Sequence, residues 1–325
     1  MFGLTFLSAT SKTTTHRVVP FRMGRLSSGV AGYVAGGSDS GGNISGIDKI
    51  AFPADTKTTL SATLTTARNL MTCFANSGVA GYVAGGSDSG GGISGIDKIT
   101  FPADTKTTLS ATLTTARARE AGFANSGTAG YVAGGNDSGG NISGIDKVSF
   151  PADSKTTLSA TLTSARNSLT GFANSGVAGY AAGGYDGSNY VSGIDKITFP
   201  ADTKTTLSAT LTTARQTMAG FANSGTAGYF AGGEDSGGRT SGIDKVSFPA
   251  DTKTTLSATL TTARLGLAGF ANSGVAGYAA GGNTVSGFTS GIDKVSFPAD
   301  SKTTLSATLT SARQSLAGFS DSGTL

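Results

Sequence analysis

The sequence predicts an all-β fold, a closed six-bladed β-propeller built from four-stranded antiparallel blades. Three observations lead to this prediction. A unit of 49 residues recurs six times without insertion or deletion, each unit holds four short strand-like segments, and none has the apolar spacing of an amphipathic helix. A tyrosine, an aspartate and an arginine mark every unit. They are Tyr33, Tyr82, Tyr131, Tyr180, Tyr229 and Tyr278; Asp48, Asp97, Asp146, Asp195, Asp244 and Asp293; and Arg68, Arg117, Arg166, Arg215, Arg264 and Arg313.

One unit, residues 68–117, illustrates the division into strands. Three groups of turn-forming residues divide this unit: Asn-Ser-Gly at 76–78, Gly-Gly at 85–86 and Pro-Ala-Asp-Thr-Lys at 102–106. The strands predicted around these turns are residues 70–75, 79–84, 93–101 and 107–113. The second is nearly free of polar side chains, which is typical of an interior strand covered on both faces. The fourth alternates apolar and hydroxyl residues, which is typical of an outer edge.

We expect the C-terminal segment to close the ring. Residues 314–323 repeat the first strand but no second strand follows them, so they should form the innermost strand of the blade that starts near Gly29. Residues 22–28 have the same register but a degenerate sequence and would be displaced. A β-solenoid, the main alternative, would need distinct caps, whereas the last repeat is as regular as the others. The predicted domains are a basic tail, residues 1–24, and the propeller, residues 25–325.

Charge and composition exclude several classes of partner. The formal net charge of +4 arises in residues 1–38, which hold four of the 24 Lys and Arg residues and no acid. The remaining 20 cations are balanced by 20 Asp and Glu residues, so we expect no nucleic-acid partner. No stretch approaches about 20 apolar residues, so no membrane insertion is expected. Cys73 is the only cysteine and takes a position that is Gly in other copies, which indicates a small buried residue.

The sequence offers little for catalysis, and we expect no enzyme activity, no metal and no cofactor. His16 is the only histidine and lies in the basic tail, which excludes a metal site of several imidazoles and a Ser-His-Asp triad in the repeats. Repeated carboxylates such as Asp48, next to Lys49, and Asp55, in a turn where it can cap backbone N–H groups, are expected to be structural. The loop at 37–42 has too few acids for calcium and fits a turn.

The repeated arginines form the most suggestive constellation of charged residues. Around one opening of a ring, the six guanidinium groups would bind an anionic partner. Alternatively, each pairs with an aspartate or with carbonyl groups of the adjoining blade, which the neutral charge of each unit favours.

Differences between the copies concentrate in two segments, one between strands two and three and one directly after each arginine. Connections in an up-and-down meander alternate between the two ends of the strands, so both segments should lie on one face of the disc. Loops on a rigid scaffold often bind ligands, although neutral drift on a solvent face would give the same pattern. The candidate binding residues on this face are Tyr185, Tyr190, Arg239, Phe288, Arg119 and Glu120.

Three segments of the unit carry a resemblance to kelch repeats. They are Gly-Tyr-Val-Ala-Gly-Gly at 81–86, Ile-Asp-Lys at 96–98 followed by Phe101, and Leu-Thr-Thr-Ala-Arg at 113–117. The resemblance covers all six units and implies a propeller. The tryptophan that kelch repeats carry on the fourth strand is missing, and Thr108-Leu109 stand near its place.

The repeat also resembles segments of marine bacteriophage structural proteins, through Ile-Asp-Lys-x-x-Phe-Pro-x-Asp between Gly-Tyr-x-x-Gly-Gly and Ala-Arg. This resemblance implies a virion or tail-fibre setting. We therefore expect a binding or structural module that recognises a protein or a glycan, in a virion or outside the cell. A propeller glycosidase or lyase is the alternative. The ligand and the oligomeric state do not follow from the sequence.

Overall fold

The computed structural model describes residues 30–323 and confirms the predicted fold class. Six four-stranded antiparallel sheets are arranged as the blades of a propeller, and none of the described residues is helical. The predicted tail, residues 1–24, and the displaced segment, residues 22–28, lie outside the described residues.

Each blade is a meander whose strands we call inner, second, third and outer. The inner strands of blades 1 to 6 are Ala317–Ser320, Thr72–Asn76, Ala121–Asn125, Thr170–Asn174, Ala219–Asn223 and Ala268–Asn272. The second strands are Ala31–Ala35, Ala80–Ala84, Ala129–Ala133, Ala178–Ala182, Ala227–Ala231 and Ala276–Ala280. The third strands are Ile47–Ala51, Ile96–Thr100, Ile145–Ser149, Ile194–Thr198, Ile243–Ser247 and Ile292–Ser296. The outer strands are Thr56–Thr59, Thr105–Thr108, Ser154–Thr157, Thr203–Thr206, Thr252–Thr255 and Ser301–Thr304.

The C-terminal strand closes the ring, as predicted. Ala317–Ser320 pairs antiparallel with Ala31–Ala35 and is the inner strand of blade 1. Tyr33 lies opposite Phe319 in this pairing, and their rings stack with centroids 5.1 Å apart. The carboxylate of Asp321 also accepts the backbone N–H of Val30 at 2.7 Å. The first and last described segments of the chain are therefore joined within one sheet.

Neighbouring inner strands contact each other near the axis at one equivalent residue of each repeat, and this residue is glycine in five of the six blades. This set, which we call the glycine ring, consists of Cys73, Gly122, Gly171, Gly220, Gly269 and Gly318. A methyl group on Gly122 would lie 2.0 Å from the carbonyl oxygen of Cys73, and one on Gly171 would lie 2.5 Å from the oxygen of Gly122. Only a residue without a side chain permits this approach at most of the positions. Cys73 is buried, and burial raises the pKa of its thiol to about 12.

Aromatic rings fill the spaces between blades. Phe74 of the inner strand stacks on Tyr82 of the second strand at 5.0 Å, and Tyr82 stacks on Phe150 of the next blade at 5.1 Å. Phe74 also lies flat against Gly130, where a methyl group would come within 1.9 Å of the ring. In the Gly-Tyr pair of each second strand, the tyrosine therefore stacks on other rings, and the glycine lets an aromatic ring of the adjacent blade approach the backbone.

The other strand ends shift by up to three residues from those expected from sequence, and two larger differences stand out. The outer strand of blade 2 is Thr105–Thr108, earlier and shorter than the predicted 107–113, because the chain has already reversed at Asp104, whose φ is 54°. Beyond it, Leu109 and Leu113 make single backbone hydrogen bonds to Ile96 and Ser94 without a continuous ladder. In addition, five of the loops between second and third strands form a two-residue hairpin, such as Ser87–Asp88 with Gly91–Gly92.

Candidate functional site

The repeated arginines are buried between blades. Arg68, which follows blade 1, reaches the third strand of blade 2, where its Nη2 donates to the carboxylate of Asp97 at 3.0 Å and to the carbonyl of Val83 at 3.1 Å. The backbone and hydroxyl of Thr65 donate to the same carboxylate, at 2.9 and 2.6 Å. Arg68 is 2 % exposed and Asp97 is 1 % exposed, so the pair is shielded from solvent.

The same ion pair recurs at every blade junction, including the closing one. The pairs are Arg68–Asp97, Arg117–Asp146, Arg166–Asp195, Arg215–Asp244, Arg264–Asp293 and Arg313–Asp48. Of the two arrangements that the sequence left open for the arginines, the structure has the one in which each pairs with the adjoining blade.

A second polar contact joins the blades at the turns between third and outer strands. Asp104 accepts the hydroxyl of Tyr33 at 2.8 Å and the ammonium of Lys49 at 2.7 Å, both from the preceding blade. Burial of the phenol, followed by its contact with Asp104, raises the pKa of Tyr33 above its usual range. The sequence predicted that this class of aspartate, which includes Asp55, would cap its own turn. Its carboxylate instead bonds the neighbouring blade, as Asp55 does with Tyr278 and Lys294.

The two variable segments of each repeat lie side by side, as the meander topology requires. We call the surface that they form the variable face; it comprises the loops at 38–43, 87–92, 136–141, 185–190, 234–239 and 283–288 and the segments at 69–71, 118–120, 167–169, 216–218, 265–267 and 314–316. Backbone hydrogen bonds join them directly. Asn69 and Ser87, for example, exchange two bonds of 3.0 and 2.8 Å.

A closed ring of backbone hydrogen bonds surrounds the axis on this face. The residue two positions after each arginine donates its N–H to the equivalent carbonyl of the adjacent repeat, over 2.7–2.9 Å. We call this set the axial ring; it consists of Leu70, Arg119, Ser168, Thr217, Gly266 and Ser315. All six have φ between 54° and 66°, although only one is glycine. The backbone is thus identical in every blade, while the side chains around the mouth of the axis differ.

Most predicted binding residues have accessible side chains on the variable face. Tyr185 and Tyr190 pair across one loop, with ring centroids 5.9 Å apart and ring planes inclined at 66° in an edge-on contact. Arg239 and Phe288 occupy the equivalent loop position in blades 5 and 6, and both are half-buried. Arg119 is exposed at the mouth of the axis. Tyr185 and Tyr190 share one loop, whereas Arg239, Phe288 and Arg119 lie in three other repeats.

Glu120 does not fit the predicted exposed role, because it is only 6 % exposed. In the repeat it is equivalent to Met71, Leu169 and Met218 of other blades. Its side chain lies against Gly85, close to Arg117. Neither carboxylate oxygen has a partner in hydrogen-bond geometry among the described residues, although the backbone N–H groups of Gly86 and Glu120 are near enough to favour the ionised form. Burial raises the pKa of Glu120 to about 8, against the opposing attraction of Arg117. Periodicity places this residue in a variable segment but does not indicate that its side chain turns inward.

Replacing Glu120 with leucine is expected to stabilise the protein at pH 8 by an amount on the order of 3 kcal/mol, because it removes a buried charge. Because the pKa of Glu120 is raised in the folded protein, deprotonation of this carboxyl destabilises the fold. The contribution of Glu120 to stability should be greatest below about pH 4.5, the ordinary carboxyl value, and should fall as pH rises through about 8. Thermal unfolding between pH 4.5 and 9 measures both effects. Leu169→Met is the matched control, and equal pH dependence of wild type and Glu120→Leu would contradict the assignment.

The structure also reveals a groove that sequence reasoning missed. It has a volume of about 530 Å³ and lies between the loops of blades 2 and 3 on the variable face. At the junction of blades 3 and 4, Asn141 and Asn167 fill the corresponding space and bond each other at 2.6 Å. Gly92 and Ala118 stand in their places here, so the space is open. The signal was present in the sequence, since this is the only junction at which both positions carry side chains this small.

Within residues 30–323, no group of three or more His, Cys, Asp or Glu side chains is placed to hold a metal ion. The described part of the chain also contains no helix with the length and hydropathy needed to cross a bilayer. Comparison of the chain with models of known protein families gave no match, and a comparison with curated proteins gave none either.

Proposed function

We propose that this propeller is a non-catalytic binding module that recognises a protein or a glycan through its variable face, in a virion, a phage tail or another extracellular setting. The observation that carries the proposal is how charged side chains are distributed between scaffold and surface. Among residues 30–323, every Lys and Arg except Arg119 and Arg239 forms an ion pair with another described residue. Both exceptions lie on the variable face.

The remaining side chains of that face support the same proposal. The loop aspartates form no ion pairs with other residues of 30–323, and Asp88 and Asp137 each accept the backbone N–H two residues on, at 2.8 Å. Half-buried aromatic rings at Tyr185, Tyr190 and Phe288 supply apolar contact area. Chemically diverse side chains on an invariant backbone are the arrangement that binding loops use on rigid scaffolds.

A non-catalytic role is supported by what the repeated carboxylates do. Each Asp97-type carboxylate bonds an arginine and threonines, and each Asp104-type carboxylate bonds a tyrosine and a lysine. Both kinds hold the blades together and are not free to act as an acid–base pair. The virion or tail setting is supported by the resemblance of the repeat to phage structural proteins. The kelch-like pattern of aromatic strand and Gly-Gly doublet supports kinship with that propeller family.

We expect the triple variant Tyr185→Ala, Tyr190→Ala and Arg239→Ala to lose at least about tenfold in affinity for the ligand, which corresponds to about 1.4 kcal/mol. Binding is measured on arrays of glycans and of surface proteins, followed by titration of the hits. The opposite face offers a matched control, Val79→Thr, Val177→Thr and Val275→Thr, because threonine already occupies this turn position in other repeats.

Two results would contradict the proposed function. One is equal binding by the variable-face variant and the wild type, together with loss of binding in the valine-to-threonine control. The other is sustained release of products from a panel of polysaccharides, which would favour a glycosidase or lyase.

A further inference from the structure

The groove between blades 2 and 3 is a preformed concave site with an open entrance on the variable face. Its volume of about 530 Å³ lies within the range of small-molecule sites. Its lining includes Gly90, Gly91 and Gly92 of the blade 2 loop and Thr115, Ala116 and Ala118 of the segment that leads into blade 3. These side chains are small, so the space is set by backbone that neighbouring blades hold in place.

The groove carries one cationic side chain on a fixed backbone. Arg119 lines it and has no ion-pair partner among the described residues. The backbone of Arg119 is fixed by the axial ring, in which its N–H donates to Leu70 and its carbonyl accepts from Ser168, both at 2.8 Å. The guanidinium of an arginine on such a backbone can donate two parallel hydrogen bonds to the two oxygens of a carboxylate.

The opposite wall supplies hydroxyl-binding groups. Asp137 and Ser138 line it, and one oxygen of Asp137 is already used by the N–H of Gly139, which leaves the other free to accept. Asn136 also lines the groove, but its side-chain oxygen is buried and has no hydrogen-bond partner among the described residues. Because the carboxylate of Asp137 stands within the same groove as Arg119, a dianion such as phosphate would be repelled more strongly than a singly charged ligand, and hydroxyl groups on that ligand could donate to the carboxylate.

We propose that this groove binds a carboxylate-bearing sugar, such as a uronic acid unit of an acidic glycan, with the sugar carboxylate on Arg119 and its hydroxyl groups on Asp137 and Ser138. This inference rests on the proposed function, since it names one ligand class and one subsite of the variable face. Arg119 is a binding residue in this scheme, and the small side chains at Gly92 and Ala118 leave space for the sugar ring.

The chain itself offers a variant that fills the groove without disturbing the fold. Gly92→Asn with Ala118→Asn recreates the pair found at the next junction, where Asn141 and Asn167 bond each other. Asn43 occupies the same position in blade 1, so asparagine is compatible with the backbone there. The converse variant, Asn141→Gly with Asn167→Ala, opens a space that has Ser168 in place of Arg119.

The test is calorimetric titration with a short oligogalacturonate and with the matched neutral galacto-oligosaccharide. We expect the wild type to bind the acidic sugar and to bind the neutral sugar at least about tenfold more weakly. Arg119→Gln should weaken binding of the acidic sugar by about tenfold or more, and the filled variant should abolish it. The converse variant should bind as the wild type does, with no second site. Thermal unfolding of each variant shows that the fold is retained.

Several results would overturn the groove proposal. They are no binding of oligogalacturonate by the wild type, equal binding of the acidic and neutral sugars, tighter binding of a sulfated sugar, and undiminished binding by the filled variant. These results leave the proposed function to its own test, because the variants at Tyr185, Tyr190 and Arg239 do not touch the groove. If those variants abolish recognition of a ligand while the filled variant does not, the binding role stands and the groove assignment fails.

Discussion

Deleting residues 314–325 is expected to prevent the propeller from folding as a closed ring. The deletion removes Ala317–Ser320, so Ala31–Ala35 becomes an unpaired strand edge in the middle of the molecule. It also removes Phe319, which is fully buried, stacks on Tyr33 and packs against Gly81. Loss of one buried aromatic side chain alone costs about 3–5 kcal/mol. The whole strand should therefore cost a large part of the roughly 5–15 kcal/mol by which domains are stable.

Thermal unfolding and sedimentation measure this effect. The truncated chain should lose its cooperative transition near the wild-type temperature and should associate through the exposed edge. Val285→Ser is the matched control, because Val285 is 86 % exposed and its replacement should leave the unfolding temperature unchanged. A monomeric truncated chain with the wild-type transition would show that the C-terminal strand does not close the ring.

Replacing Asp195 with alanine is the second change with a large expected effect. Asp195 is 1 % exposed and accepts hydrogen bonds from the backbone and hydroxyl of Thr163 at 3.0 and 2.6 Å, besides its ion pair with Arg166 at 3.1 Å. Without it, a guanidinium that is 2 % exposed has no counter-charge. Removing one partner of a buried ion pair costs about 3–5 kcal/mol, and we expect Asp195→Ala to lie in this range by chemical denaturation.

A double-mutant cycle and a pH series separate the causes. Asp195→Ala with Arg166→Met should be less destabilised than the sum of the two single variants, because no unpaired charge remains. Burial opposes ionisation of Asp195, but the hydrogen bonds from Thr163 and the charge of Arg166 outweigh it and lower the pKa of Asp195. The associated stability should be present above the ordinary carboxyl value and lost as pH falls below about 4. Additive effects in the cycle would contradict the coupling.

Much of the fold follows from the sequence because the repeat is nearly exact. A period of 49 residues, turns at fixed offsets and a C-terminal segment that repeats only the first strand define the blades and their closure. The ends of the outer strands do not follow, since the pattern of Thr, Leu and Ser continues from 107 to 113 while the backbone ladder stops at Thr108. Alternation of residue types shows which face is buried but not where hydrogen bonding to the third strand ends.

The side-chain contacts between blades were harder to foresee. Asp104 bonds Tyr33 and Lys49, which lie 71 and 55 residues earlier, and local turn chemistry gives no hint of these partners. Glu120 belongs to a variable segment, yet its side chain is buried between two blades, where the equivalent residue of the other repeats is Met or Leu. Contacts of this kind depend on how one unit is rotated against the next, which the repeat period does not encode.

Hydrogen exchange of the second strands tests the central claim, a ring of equivalent blades closed by the C-terminal strand, most directly. In the full-length protein, a peptide covering Ala31–Ala35 should be as protected as one covering Ala80–Ala84, because each strand is paired on both sides. In the chain lacking residues 314–325, protection of the first peptide should be lost. Rapid exchange of Ala31–Ala35 in the full-length protein, with Ala80–Ala84 still protected, would contradict closure of the ring.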